Sequence, residues 1–175
     1  NPSEFLAVFR TAQIIRRKSE FYVMSDKEVI VRENFLPVEL YQQVNEYSKE
    51  LLFKKPTTHN FLTHHWWQPQ LVLDSFPIIT HKASSDLPFY SELKDFVETF
   101  SGFNADIISF YFGTTFSYFP WHNDGKRDGA MTIYLNDIWD ENWGGYYLFN
   151  ETDNDIRAIP IKPNLVINCV GAIKQ

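Results

Sequence analysis

Apolar positions recur at helical spacing through much of the first hundred residues and at alternating spacing after that. The stretch 3–18, SEFLAVFRTAQIIRRK, opens on Ser3 as an N-cap. It carries Phe5, Leu6 and Phe9 on one face, which predicts a helix. EVIVREN at 28–34 reads as a short strand. The spacing of Leu40, Tyr41, Val44, Tyr47 and Leu51 predicts a second helix over 37–52, with Pro37 in its first turn. Residues 54–85 mix Pro, Thr, His and Trp and offer only short strand-like pieces at 60–66 and 70–74. A third helix fits 87–100, with Asp86 as cap, Phe89, Leu93, Phe96, Val97 and Phe100 on one side, and Gly102 as stop.

Beyond Gly102 the period becomes two. Strands are expected at 104–112, 115–121, 129–135, 145–149, 156–161 and 164–170, separated by Gly113, Gly125, Gly129, Gly144 and Pro163. Helices followed by a run of short strands predict an α+β, mainly β chain: an antiparallel sandwich or roll with helices on one side. With no internal repeat or low-complexity linker, 1–175 reads as one domain. Residues 1–103 supply helical support and the first strands, and 104–175 the sheet core.

Composition narrows the function classes. Lys and Arg number 16 against 22 Asp and Glu, a formal charge of −6. The one basic cluster, RRK at 16–18, suits a solvated face better than a nucleic-acid contact. No apolar run reaches the roughly 18 residues of a membrane span, so neither nucleic acid nor membrane is an expected partner. A lone cysteine, Cys169, excludes an intramolecular disulfide and favours a reducing compartment, with cytoplasmic the simplest expectation. Aromatic residues make up 17%, enough for a ring-lined pocket.

Candidate chemistry centres on PWHNDGKRDGAM at 120–131. On a strand, His122 and Asp124 project to one face. An imidazole and a carboxylate form a mixed N/O donor set suited to Fe(II), and two histidines with one carboxylate leave three coordination positions open. Taken alone, a His-x-Asp pair is more often two loop residues satisfied by local hydrogen bonds.

The surroundings change that balance. YFGTTFSYFPWHNDGKRDGAMTIYLNDIWDENWGGYYLFN resembles the core of the Fe(II)- and 2-oxoglutarate-dependent oxygenases, in their prolyl 4-hydroxylase-like branch. The matching landmarks are Tyr111 and Gly113 before the pair, then Tyr134, Leu135 and Asn136, the turn at Trp139 and Asp140, and Gly144 with Gly145. A Pro-containing turn before a hydrophobic strand, PIKPNLVIN, completes the series. The resemblance covers 111–168 closely and the preceding helices more loosely.

It implies a double-stranded β-helix, or jelly roll, holding Fe(II) through the catalytic His122 and Asp124. Its co-substrates are 2-oxoglutarate and O2, with ascorbate as an optional reductant. Tyr134 resembles the tyrosine that reaches the distal carboxylate of 2-oxoglutarate, and Tyr111 a second tyrosine beside the co-substrate. Strand alternation puts Thr132 on the face of Tyr134. Arg127, Lys126 and Trp121 are the substrate-side candidates, although exposed loop charges are commonly just solvated. Because Asp124 is a carboxylate, the site resembles that of a hydroxylase rather than a halogenase. The substrate is either a prolyl residue in a protein or a small amino-acid-like metabolite.

One ligand is missing. The family's second histidine follows the strand that LVINCVG begins, and a basic residue for 2-oxoglutarate comes after it. His59, His64, His65 and His81 all precede the pair. The adjacent His64 and His65 would point to opposite faces of a strand, while Trp66 and Trp67 could cover the mouth of a site. The expectation is therefore that the natural chain continues past Gln175. The alternatives are a catalytically incomplete, cupin-like binding module on the same roll, or a β-sandwich interaction domain in which the aromatics are core. Oligomeric state is not readable.

Overall fold

The computed structural model describes residues 9–17, 28–53, 62–63, 78–113, 121, 127–152 and 155–170. The amphipathic spacing of the first half is realised in α1 (Val38–Phe53) and α2 (Tyr90–Ser101). Leu40, Val44 and Leu51 bury one side of α1, and Leu93 and Val97 one side of α2. Gly102 ends α2 in the left-handed region, φ 70°, and its N–H returns to the Glu98 carbonyl. Asp86 is not the cap of α2. The turn closed by the Tyr90 N–H on the Leu87 carbonyl, 2.9 Å, takes up the preceding residues, so the helix starts later with Phe89 at its N-cap position.

Among the described residues there are nine strands: β1 (Phe9–Arg17), β2 (Glu28–Arg32), β3 (Leu62–Thr63), β4 (Ile78–Lys82), β5 (Ile107–Gly113), β6 (Arg127–Tyr134), β7 (Tyr146–Thr152), β8 (Asp155–Pro160) and β9 (Val166–Val170). Seven form an antiparallel sheet in the order β2-β9-β6-β1-β5-β4-β3, and β7 and β8 form a separate antiparallel pair. The expected strand at 115–121 and the piece at 70–74 lie outside the described residues, apart from Trp121.

The helix expected over 3–18 is corrected where the chain is described: Phe9–Arg17 is a strand. It lies between β5 and β6, hydrogen-bonded on both edges. Ala12 and Ile14 enter the helix-side core, while Thr11 and Gln13 belong to the other face. Tertiary pairing outweighs a helical signal that rested on Phe5, Leu6 and Phe9.

Two cores sandwich the sheet. On one side Ala12, Ile14, Phe110, Met131 and Ile133 meet Leu40, Val44, Leu93 and Val97 of the helices. On the other, Tyr134, Ile167 and Cys169 meet Phe149 and Ile161, with Tyr147 and Trp139 packed alongside. The architecture is mainly β with two helices on one sheet face, compatible with a β-sandwich. Among the described residues no helix is long and apolar enough to cross a membrane.

The Gly-Gly pair has a local reason. Gly144 and Gly145 both sit at φ 75°. A Cβ on Gly145 would lie 2.7 Å from Trp139 Cζ2 and 3.0 Å from Ile161 Cδ1. The Trp139 indole N–H donates to the Gly144 carbonyl at 2.8 Å, pinning the ring against this bend. Gly145→Ala combines a left-handed backbone with overpacking, so a loss of about 2–4 kcal/mol is expected in urea unfolding.

Candidate active site

Directly opposed residues on antiparallel strands share a face. In β6, β1 and β5 the helix-side rows are apolar: Ile133, Ala12 and Phe110 in one, Met131, Ile14 and Ile108 in the next. On the reverse face two successive rows carry polar side chains beside the apolar cluster of Tyr134, Ile167 and Cys169, and the next register positions, Ala130, Ile15 and Ile107, are apolar. Tyr134, Thr11 and Tyr111 align in one row. Thr132, Gln13 and Ser109 align in the next, and Lys82 of β4 extends that row.

Three site residues expected from the sequence, Tyr134, Tyr111 and Thr132, therefore lie on one face. Tyr134 and Tyr111 are 2% and 3% exposed, and Thr132 is partly buried. Burial, and then the neighbouring Cys169 thiol, push the Tyr134 phenol far above its ordinary range. It is thus a hydrogen-bond donor at every working pH. Trp121 is exposed. Arg127 opens β6 at a register position opposite Arg17. His122, Asp124 and Lys126 lie outside the described residues, as do His64, His65, Trp66 and Trp67. Among the described residues no group of three His, Cys, Asp or Glu side chains is placed to hold a metal.

Thr11, Gln13 and Ser109 were not anticipated from the sequence. Their signal is the two-residue alternation of FRTAQII, which becomes visible once β1 is seen as a strand.

The Tyr-Leu-Asn landmark at the end of β6 divides its labour. Tyr134 faces the polar side, and Leu135 enters the helix-side core. Asn136 Oδ1 accepts the Arg10 backbone N–H at 3.0 Å, holding the start of β1 in place. The Arg10 side chain turns to the helices, where Nη1 donates to Asn45 Oδ1 at 2.9 Å and to Ser48 Oγ at 3.1 Å. Its Nη2 reaches Asp137 Oδ2 at 3.4 Å. Asn164, in the turn before β9, sits at φ 54° and grips the chain entering α1. Its side chain accepts from the Leu36 N–H and donates to the Leu36 carbonyl, each at 2.9 Å, while its own N–H donates to the Tyr134 carbonyl. These clamps fix the height of Tyr134 and Thr11 in the sheet.

The Tyr41 hydroxyl donates to the Asn136 carbonyl at 3.0 Å, and burial followed by the Asp137 charge pushes its pKa up to about 12. Unfolded tyrosine titrates near 10. The folded values of Tyr41 and Tyr134 are raised, so the folded state holds more protons above pH 10 and stability falls as pH rises. Phenolate absorbance at 295 nm is expected to show these two rings ionising together with loss of structure. Tyr134→Phe should make stability less steeply dependent on pH above 10.

A cavity of about 20 Å³, bordered by Ile14, Ser101, Asn104, Met131 and Asn168, lies on the helix side. It has room for one water and is not a substrate site.

No protein-family model, curated protein or solved structure matches the chain.

Proposed function

We propose that this chain is the core of a non-haem Fe(II)- and 2-oxoglutarate-dependent dioxygenase on a jelly roll, acting as a hydroxylase. The substrate class is a prolyl residue in a protein or a small amino-acid-like metabolite. The observation that supports the reading is the common buried face of Tyr111, Thr132 and Tyr134. The resemblance assigns Tyr111 and Tyr134 to the co-substrate and strand alternation adds Thr132, and they come from strands separated in the sheet by β1.

His122 and Asp124 would hold the metal, since an imidazole and a carboxylate suit Fe(II). When bound, the metal and 2-oxoglutarate supply the oxidising chemistry, in which one atom of O2 enters succinate and the other the hydroxylated product, with CO2 released. The chain's own residues bind and shield. Tyr134, held protonated by burial, donates to a carboxylate without adding charge. The pair β7–β8 covers the Tyr134 and Cys169 region through Phe149, Ile161 and Tyr147, whose hydroxyl lies 3.0 Å from Cys169 Sγ. This layer keeps water from that end of the polar face.

The test is Fe(II)-dependent conversion of 2-oxoglutarate to succinate by the full natural chain, with and without candidate peptides and amino acids. Succinate formation supports the reading. Metal and ligand binding without turnover favours a binding module.

A further inference from the structure

The polar face contains a residue between the two tyrosines that no motif marked. β1 separates β5 from β6, and Thr11 opposes Tyr111 on one side and Tyr134 on the other. Adjacent strands are about 4.8 Å apart, so the two tyrosine-bearing strands are about 10 Å apart. The residue opposed to both tyrosines lies between them on the same face. Thr11 occupies that position and is 3% exposed. Its neighbour along the chain on the other face is Ala12, within an apolar row, so polar positions alternate with apolar ones from Thr11 to Ile14. Gln13 repeats the arrangement one row on, between Ser109 and Thr132.

The geometry points to Thr11, with Gln13 in the next row, as co-substrate-binding residues contributed by the N-terminal strand. This assignment rests on the proposed oxygenase reading. The Thr11 hydroxyl donates to the distal carboxylate beside Tyr134, and the Gln13 side-chain amide donates from the adjoining row. Neutral donors on adjoining strands thereby supplement the basic residue that the resemblance implies for this carboxylate. Hydrogen bonds to a charged acceptor are the stronger kind.

The experiment measures 2-oxoglutarate affinity by anaerobic calorimetry on the full natural chain loaded with Fe(II), which needs no turnover. Thr11→Val keeps the shape and removes the donor. An affinity loss of about tenfold is expected, with metal affinity and melting temperature unchanged. Thr11→Ser should restore binding. If Thr11→Val lowers the melting temperature, Gln13→Leu carries the test at a less buried position, with a loss of similar size expected. Variants that bind 2-oxoglutarate as tightly as the wild type overturn the assignment and leave the oxygenase reading standing. A metal-loaded wild type that binds no 2-oxoglutarate overturns both.

Discussion

Asp124→Ala is expected to lower Fe(II)-dependent succinate formation by more than about 100-fold, because loss of a partner one shell further from a metal already costs 10–100-fold. The proposed donor set has one carboxylate, so its removal leaves imidazole ligation alone and weakens both metal affinity and geometry. His122→Ala should behave alike. Tyr134→Phe should differ in kind: it removes one donor to the co-substrate, raising the 2-oxoglutarate concentration needed while leaving metal affinity intact. Parallel assays of succinate and of bound iron separate the two patterns. Equal turnover in Asp124→Ala and wild type would remove this pair from the mechanism.

Arg10→Met should destabilise the helix side by about 2–3 kcal/mol. It removes the donor to the buried Asn45 Oδ1 and one of the two hydrogen bonds of Ser48 Oγ, and takes one cation from Asp137. Asp137 is itself half-exposed, so the figure lies below that for a fully buried pair. Lys49, 3.2 Å from Asp137 and closer to solvent, should cost less than about 1 kcal/mol when replaced by Met. For a chain of this size the Arg10 loss lowers the melting temperature by about 5–12 °C.

The network also has an acid limb. Burial alone would raise the Asp137 carboxyl. Hydrogen bonds from Asn45 and Lys49, with the charges of Lys49 and Arg10, hold it below the usual carboxylate range. Its folded value is depressed, so its contribution is present above about pH 4 and is lost as pH falls through the folded value. Wild type and Asp137→Asn should therefore converge in stability at low pH.

The sequence was legible where one face of an element meets the core and the other meets water. α1 and α2 have that character, and their apolar stripes predicted them to within a few residues. The strands after Gly102 were legible through alternation and turn glycines, and Gly102 itself through its left-handed stop. β1 was not, because the helical spacing of Phe5, Leu6 and Phe9 overlies the alternation of FRTAQII, and its partners lie about a hundred residues away. β4 was hidden in a segment of mixed Pro, His and Trp that gives no period. Of the proposed site, landmark spacing singled out Tyr111 and Tyr134, and strand alternation singled out Thr132. Thr11 was not singled out, since its place between the tyrosines depends on a non-local pairing that no short motif encodes. Asn136 shows the link between the two: part of a recognisable Tyr-Leu-Asn run, it also anchors the strand that carries Thr11.

The measurement that tests the central claim most directly is an anaerobic absorption titration of the full natural chain with Fe(II) and then 2-oxoglutarate. The account predicts a visible iron-to-keto-acid charge-transfer band that saturates with 2-oxoglutarate and is lost in Asp124→Ala. A folded protein that gives no band, or a band unchanged in Asp124→Ala, contradicts it.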